Sequence, residues 1–178
     1  MLLYGVVFLY HYVRRLGAAH DHIKIFHIRF IMDKLEVPVL PPEQSAVILR
    51  ASFLSLASSL YAISLGHYDF ACVVGGVFIT SVLYWWHPDY SWRRYIDMAM
   101  VKSGIAYQVY RAQSSPRAIT YYIILGGGIS FYFLGCHYYK RKKLWHSTYS
   151  HTMLHILGNI SNVILYSSFY ARPPARRI

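Results

Sequence analysis

Long apolar segments alternate with short polar turns along most of this chain, and the pattern predicts a bundle of membrane-spanning helices. A helix needs about 20 residues to cross the hydrocarbon core of a bilayer. The segments that approach this length are residues 46–65, 69–86, 95–112, 118–139 and 145–169. Turn-forming residues separate the first four of them, at Gly66–Asp69, His87–Trp92 and Gln113–Arg117. Because the connections are short, consecutive helices are predicted to run antiparallel.

The segment at 95–112 is the least apolar, since it contains Asp97 and Lys102. Charged side chains inside a spanning helix almost always face protein or a water-filled cavity. The segment is therefore acceptable as a span only if these two residues face away from lipid. A neutralising ion pair between Asp97 and Lys102, Arg93 or Arg94 is one way to meet that condition.

The first 45 residues have a different pattern. Residues 2–13 are apolar but short for a span, and residues 20–36 mix charged residues and histidines with Ile and Phe. This mixture predicts an amphipathic segment at the membrane interface, ending near Pro41 and Pro42. The start lacks a basic region and a cleavage site, so we expect it to be retained. The predicted organisation is an interfacial segment at 1–45, a helical bundle at 46–170 and a basic tail at 171–178.

Composition supports the membrane interpretation. The chain has 178 residues, of which 56% are hydrophobic and 14% are charged, whereas an average soluble domain has about 25% charged residues. The mean hydropathy is +0.29. Cys72 and Cys136 both lie in apolar segments, so a disulfide framework is not expected.

The net charge of +11 would suit a nucleic-acid-binding protein, but no nucleic-acid-binding motif is present. The basic residues instead flank the apolar segments, which is typical of contacts with anionic lipid headgroups such as those of cardiolipin. The predicted headgroup contacts are Arg93, Arg94, Lys140, Arg141, Lys142 and Lys143. Most basic residues outside the helices fall on the side of the N-terminus, which the positive-inside rule places in the cytoplasm or the organelle matrix.

A polar stripe follows the last apolar segment. His151, His155 and Asn159 are each four residues apart, and Asn162 follows three residues later, so all four share one side of a helix. Two histidines at this spacing can bind one metal ion, as in the HExxH motif, but Thr152 stands where that motif has its glutamate. The alternative role is hydrogen bonding between membrane helices.

The order of Ser81, His87, Asp97 and the His151–His155 pair resembles the membrane hydrolase superfamily of alkaline ceramidases and progestin/adiponectin-type receptors. The resemblance implies a zinc amidase site, with His87, His151 and His155 as zinc ligands and with Ser81 and Asp97 as catalytic residues. This chain departs from the family in three ways. The gap between Ser81 and His87 is six residues rather than one helical turn, His87 directly precedes Pro88, and only five spans are predicted where the family has seven.

These observations favour a non-catalytic accessory subunit of a multi-subunit membrane complex, with no cofactor. Its expected partners are other membrane subunits and an anionic phospholipid, and its expected location is the mitochondrial inner membrane. The residues predicted to make polar helix contacts are Asp97, Lys102, His151, His155, Asn159 and Asn162. The alternative function is a zinc-dependent lipid amidase or hydrolase. A small transporter is a third class, but the chain shows no internal inverted repeat.

Overall fold

The computed structural model describes residues 39–170, with side chains through Phe169. This part of the chain contains five α-helices and no strand. They are α1 (Pro42–Ser64), α2 (Tyr68–Trp85), α3 (Trp92–Ala112), α4 (Ala118–Lys140) and α5 (Leu144–Tyr170). The predicted all-helical class is confirmed. The basic tail and most of the predicted interfacial segment lie outside the described residues.

Local sequence explains where the helices begin. Helix α1 starts at Pro42, earlier than predicted, because proline is well tolerated in the first turn, where its missing N–H has no helical partner. The predicted boundary at residue 45 therefore falls inside this first turn. Helix α3 starts at Trp92, also earlier than predicted, because the Ser91 side chain caps it by accepting a hydrogen bond from the Arg93 N–H. Gly66, with a φ of +75°, forms the turn after α1.

Within residues 39–170, three helices are long and apolar enough to cross a membrane: α1, α2 and α4. They are compatible with an integral membrane protein, as predicted. Helices α3 and α5 are long enough but less apolar, since α3 carries Asp97 and Lys102 and α5 carries the histidine and asparagine stripe. The count of five spans stays a prediction.

The helices form an open arc rather than a closed ring. Helix α1 packs against both α2 and α5, α3 packs against α2, and α4 packs against α5. The order across the bundle is therefore α3, α2, α1, α5, α4. Helices α3 and α4 are neighbours in sequence, yet they make few contacts with each other. The described bundle is therefore open between α3 and α4.

Small residues set the close packing on the inside of the arc. The buried side of α1 carries many serines, including Ser52, Ser55 and Ser59. A Cβ atom added at Gly75 of α2 would lie 3.2 Å from Ser59 Oγ, and one added at Gly128 of α4 would lie 3.4 Å from Leu157 Cβ of α5. Such residues let helix backbones approach closely.

The two ends of the bundle are held by different contacts. At one end, which we call the Phe70 end, Phe70 is fully buried and its ring lies 4.7 Å from that of Tyr166, while the Arg111 guanidinium lies 4.8 Å from the Phe70 ring centroid. At the opposite end, the Pro88 end, the Val39 N–H donates to the Pro88 carbonyl at 2.8 Å. There the Tyr139 hydroxyl of α4 donates to the Val39 carbonyl.

Candidate ligand cavity

A cavity of about 390 Å³ lies between α2, α3, α4 and α5, with α1 behind it. Its volume falls in the range of small-molecule binding sites, about 300–1,000 Å³. Most of its wall is apolar, with Val77 on α2, Val101 and Ile105 on α3, and Leu125 and Ile129 on α4. The polar residues that line it include Asp97, Gln108, His151, His155, Asn159 and Asn162.

Asp97 lies in this wall and is 8% exposed. Its Oδ1 atom accepts hydrogen bonds from Ser81 at 2.7 Å and from Thr80 at 3.1 Å, both on α2. Within residues 39–170 it forms no ion pair, so the candidate pairs with Lys102, Arg93 and Arg94 do not form. Arg93 pairs with Asp89 instead, at 2.5 Å. The structure links Asp97 to the neighbouring helix through hydroxyl groups.

The two histidines of α5 lie side by side on the cavity wall. Their ring centroids are 5.3 Å apart, as the four-residue spacing predicts. The His151 ring packs against Trp85 at 4.9 Å between centroids, which fixes its position. The Nε2 atom of His155 is buried, and it has no hydrogen-bond partner among the described residues. His155 therefore lines the cavity and also keeps a buried nitrogen without a partner in the described part of the chain.

Asn159, one turn after His155, has a different environment. Its Oδ1 atom accepts a hydrogen bond from Ser58 at 2.7 Å, and its Nδ2 atom donates to Ser55 at 3.4 Å and to the His155 carbonyl at 2.8 Å. These bonds join α5 to α1. Asn162 is half-buried at the cavity wall, and Lys102 is exposed at its rim.

The geometry does not assemble the zinc site implied by the family resemblance. His87 follows the end of α2, is exposed, and does not line the cavity that holds His151 and His155. Within residues 39–170, no group of three or more His, Cys, Asp and Glu side chains is arranged to hold a metal ion. A catalytic zinc site needs three protein ligands. The residues present therefore do not fit that group, although Ser81 and Asp97 do contact each other.

Sequence reasoning missed several residues of the site. Ser55 and Ser58 hold Asn159, and Gln108 is 5% exposed with an Oε1 atom that has no partner in the described part of the chain. The serines had a visible signal, because polar residues recur every three or four positions through the apolar segment of α1. A single glutamine at a helix end carries no comparable signal.

Comparison with protein-family models, with curated proteins and with solved structures finds no match to this chain.

Proposed function

We propose that this protein is a non-catalytic accessory subunit of a larger membrane assembly and that it contacts its partner through the outer face of α3. The observation that carries the proposal is the exposure of Lys102 and Ser103 in the middle of this helix. At the centre of a spanning helix a lysine costs about 2.5–3.5 kcal/mol by insertion measurements. A polar or acidic side chain of a partner helix would remove that cost.

The shape of α3 fits the same role. At 100° per residue, Ala99, Ser103 and Ala106 share one side of the helix, and all three are exposed. Gly104 lies on a different side, where an added Cβ would be 3.2 Å from Val73 of α2. The middle of the outer face is thus lined by small residues, and the exposed aromatic residues Trp92, Tyr95 and Tyr110 lie toward its two ends. Small residues in membranes allow a second helix to pack closely.

The basic residues support the proposed contact with anionic lipid. Residues 140–143, at the end of α4 and in its connection to α5, are exposed. The bond from Tyr139 to Val39, together with that from Val39 to Pro88, places this connection at the same end of the bundle as Arg93 and Arg94. Basic side chains gathered at one end suit the headgroup layer of an anionic membrane. A mitochondrial inner membrane, rich in cardiolipin, is part of this proposal and rests on composition.

Native electrophoresis of gently solubilised membranes tests the subunit role. We expect the wild-type chain to migrate in an assembly well above its own mass of 20.7 kDa. Ala106→Phe should release it, because the ring blocks close packing on the outer face of α3. Ala57→Phe is the matched control, since Ala57 is an exposed alanine on α1, and it should leave the assembly intact. A wild-type chain that migrates as a stable monomer would contradict the proposal.

The zinc-dependent lipid hydrolase stays a prediction, with a direct test of its own. Metal analysis of the purified chain should find stoichiometric zinc if that function is correct, and a His151→Ala/His155→Ala double variant should lose it. Such a result would replace the non-catalytic proposal.

A further inference from the structure

We propose that the cavity binds a neutral, single-chain membrane amphiphile with a hydroxyl headgroup, of the chemical class of a monoacylglycerol. In this arrangement its chain lies between α3 and α4, and its hydroxyl groups donate hydrogen bonds to the polar wall. Most of the site is on the inner side of α3, and Lys102 alone borders both the cavity and the outer face. The inference therefore does not depend on the partner contact proposed for the outer face.

The first argument is the route of entry. The cavity wall includes two exposed side chains, Lys102 on α3 and Phe133 on α4, which places its rim at the gap between these helices. A hydrogen bond from the Tyr122 hydroxyl to the Val109 carbonyl, at 3.0 Å, joins the two helices near their connecting loop. Since α4 is apolar enough to lie in a membrane, the gap beyond this bond faces lipid.

The second argument is the chemistry of the walls. Val101 and Ile105 on α3 face Leu125 and Ile129 on α4 across the cavity. Aliphatic side chains on both sides give a hydrocarbon chain the same contacts that it has in the bilayer. A predominantly apolar site with a few polar groups that fix orientation is typical of ligand pockets.

The third argument is that the residues of the wall include hydrogen-bond acceptors without a partner. Gln108 lines the cavity, and its Oε1 atom has no partner within residues 39–170. This atom is itself buried, so a ligand hydroxyl reaches it only when the amide turns toward the cavity. The hydroxyl groups of Thr80 and Ser81 both donate to the Oδ1 atom of Asp97, so its Oδ2 atom accepts a hydrogen bond from neither of them. A neutral imidazole such as that of His155 can accept or donate at Nε2. A buried acceptor without a partner is unfavourable, and a ligand hydroxyl supplies the missing donor.

The same wall disfavours an anionic headgroup. A carboxylate placed against Asp97 and Gln108 would meet the Asp97 carboxyl at close range, and both groups accept rather than donate when ionised. The cation of the lining, Lys102, is exposed at the rim of the cavity. The proposal therefore commits to hydroxyl lipids and predicts weaker binding of a fatty acid with the same chain length.

Trp85 provides a reporter inside the bundle. It is 6% exposed, and its ring lies 4.9 Å from that of His151 on the cavity wall, whereas the other three tryptophans are exposed. The full-length chain with Trp86→Phe, Trp92→Phe and Trp145→Phe retains this reporter alone. Titration with a brominated monoacylglycerol in detergent should quench it saturably. A matched variant that retains only Trp145 should show non-saturating quenching.

Two variants test the location of the site. Val101→Phe in the Trp85 reporter chain should abolish saturable quenching, because the ring fills the space between α3 and α4. Ala99→Phe, on the outer face of the same helix, should leave it unchanged. Ile105→Phe, on the same wall as Val101, is a second filling variant if Val101→Phe does not keep the wild-type circular dichroism spectrum.

Two comparisons test the headgroup chemistry. Gln108→Leu should weaken binding of the monoacylglycerol about tenfold, since a hydrogen bond to a buried group contributes on that scale. A brominated fatty acid of equal chain length should bind the wild-type cavity at least about tenfold more weakly. Absence of saturable quenching of Trp85, persistence of binding in both filling variants, or equal binding of the fatty acid would each overturn the proposal.

Discussion

The closed contact between α1 and α5 and the open gap between α3 and α4 use polar residues in opposite ways. In the closed contact, Asn159 is bonded to Ser55, to Ser58 and to the backbone of its own helix. In the cavity beside the gap, Gln108 and His155 each keep a buried atom without a partner in the described chain. Polar residues on these helices therefore do not share one role. Asn159 joins two helices, whereas Gln108 and His155 lie on the wall of the cavity for which we propose a ligand.

The largest difference in the free energy of unfolding should be between a variant that lacks an aromatic ring at the packed Phe70 end and one that lacks an aromatic ring at the gap between α3 and α4. Phe70 is fully buried among aromatic side chains, whereas Phe133 lines the rim of the cavity and is 66% exposed. We expect Phe70→Ala to lower the free energy of unfolding by about 3 kcal/mol, because it leaves a cavity in a packed core. Phe133→Ala should change it by less than about 0.5 kcal/mol.

Unfolding by sodium dodecyl sulfate in mixed micelles, followed by circular dichroism, measures both values. Equal losses for the two variants would show that the gap is as well packed as the Phe70 end, which contradicts the open arc.

A second comparison is between two variants, one that lacks an amide side chain with hydrogen-bond partners on a neighbouring helix and one that lacks an amide whose oxygen has no partner. Asn159→Leu should lower the free energy of unfolding by about 2 kcal/mol, because it leaves Ser58 and Ser55 buried without this partner. Gln108→Leu should be close to neutral, since its Oε1 atom loses no bond within the described chain. The same unfolding assay applies, in detergent free of lipid. A larger loss for Gln108→Leu than for Asn159→Leu would reverse the assignment of the two roles.

The smallest effect that we expect is a pH dependence of the free energy of unfolding. It comes from Asp89, which lies at the Pro88 end in the connection between α2 and α3. Partial burial alone would raise the pKa of Asp89, but hydrogen bonds from Ser91 and Arg93, together with the Arg93 charge, lower it below its ordinary value. A lowered pKa means that the folded chain binds this proton less readily than the unfolded chain. The stabilisation is therefore present above about pH 4 and is lost as the pH falls through the lower, folded value.

Because the pair is partly exposed, we expect the loss to be below about 1 kcal/mol. Comparing unfolding free energies at about pH 6 and about pH 3 in the wild type and in Asp89→Asn isolates the contribution. The wild type should show an additional loss at the lower pH that the variant lacks. Identical pH dependence in both would mean that the ion pair does not hold the start of α3.

Much of the fold could be predicted from local pattern. The apolar segments and the turns between them indicate five helices, and the observed ends differ by only a few residues where Pro42 and Ser91 start helices early. The spacing of His151, His155 and Asn159 predicted a shared helix face, and all three line the same cavity. Local rules suffice here because helix ends and helix faces depend on residues a few positions apart.

The site was less predictable. His87 looked like a third partner for the histidine pair, but it lies in an exposed connection beyond the end of α2. Gln108 was not singled out, although it has a buried acceptor at the cavity. Neither outcome can be derived from spacing along one helix, because each depends on which helices pack together and which leave a gap.

The sequence by itself therefore determined the helices of residues 39–170, with apolar segments long enough for a membrane and polar residues at helical spacing. Only the tertiary structure decided which of those residues have partners. Asn159 and Gln108 are both amides on long helices, and they differ because α5 packs directly against α1 while α3 stands apart from α4. Hydrogen-bond partners come from neighbouring helices in space, and periodicity within one helix carries no information about which neighbour it meets.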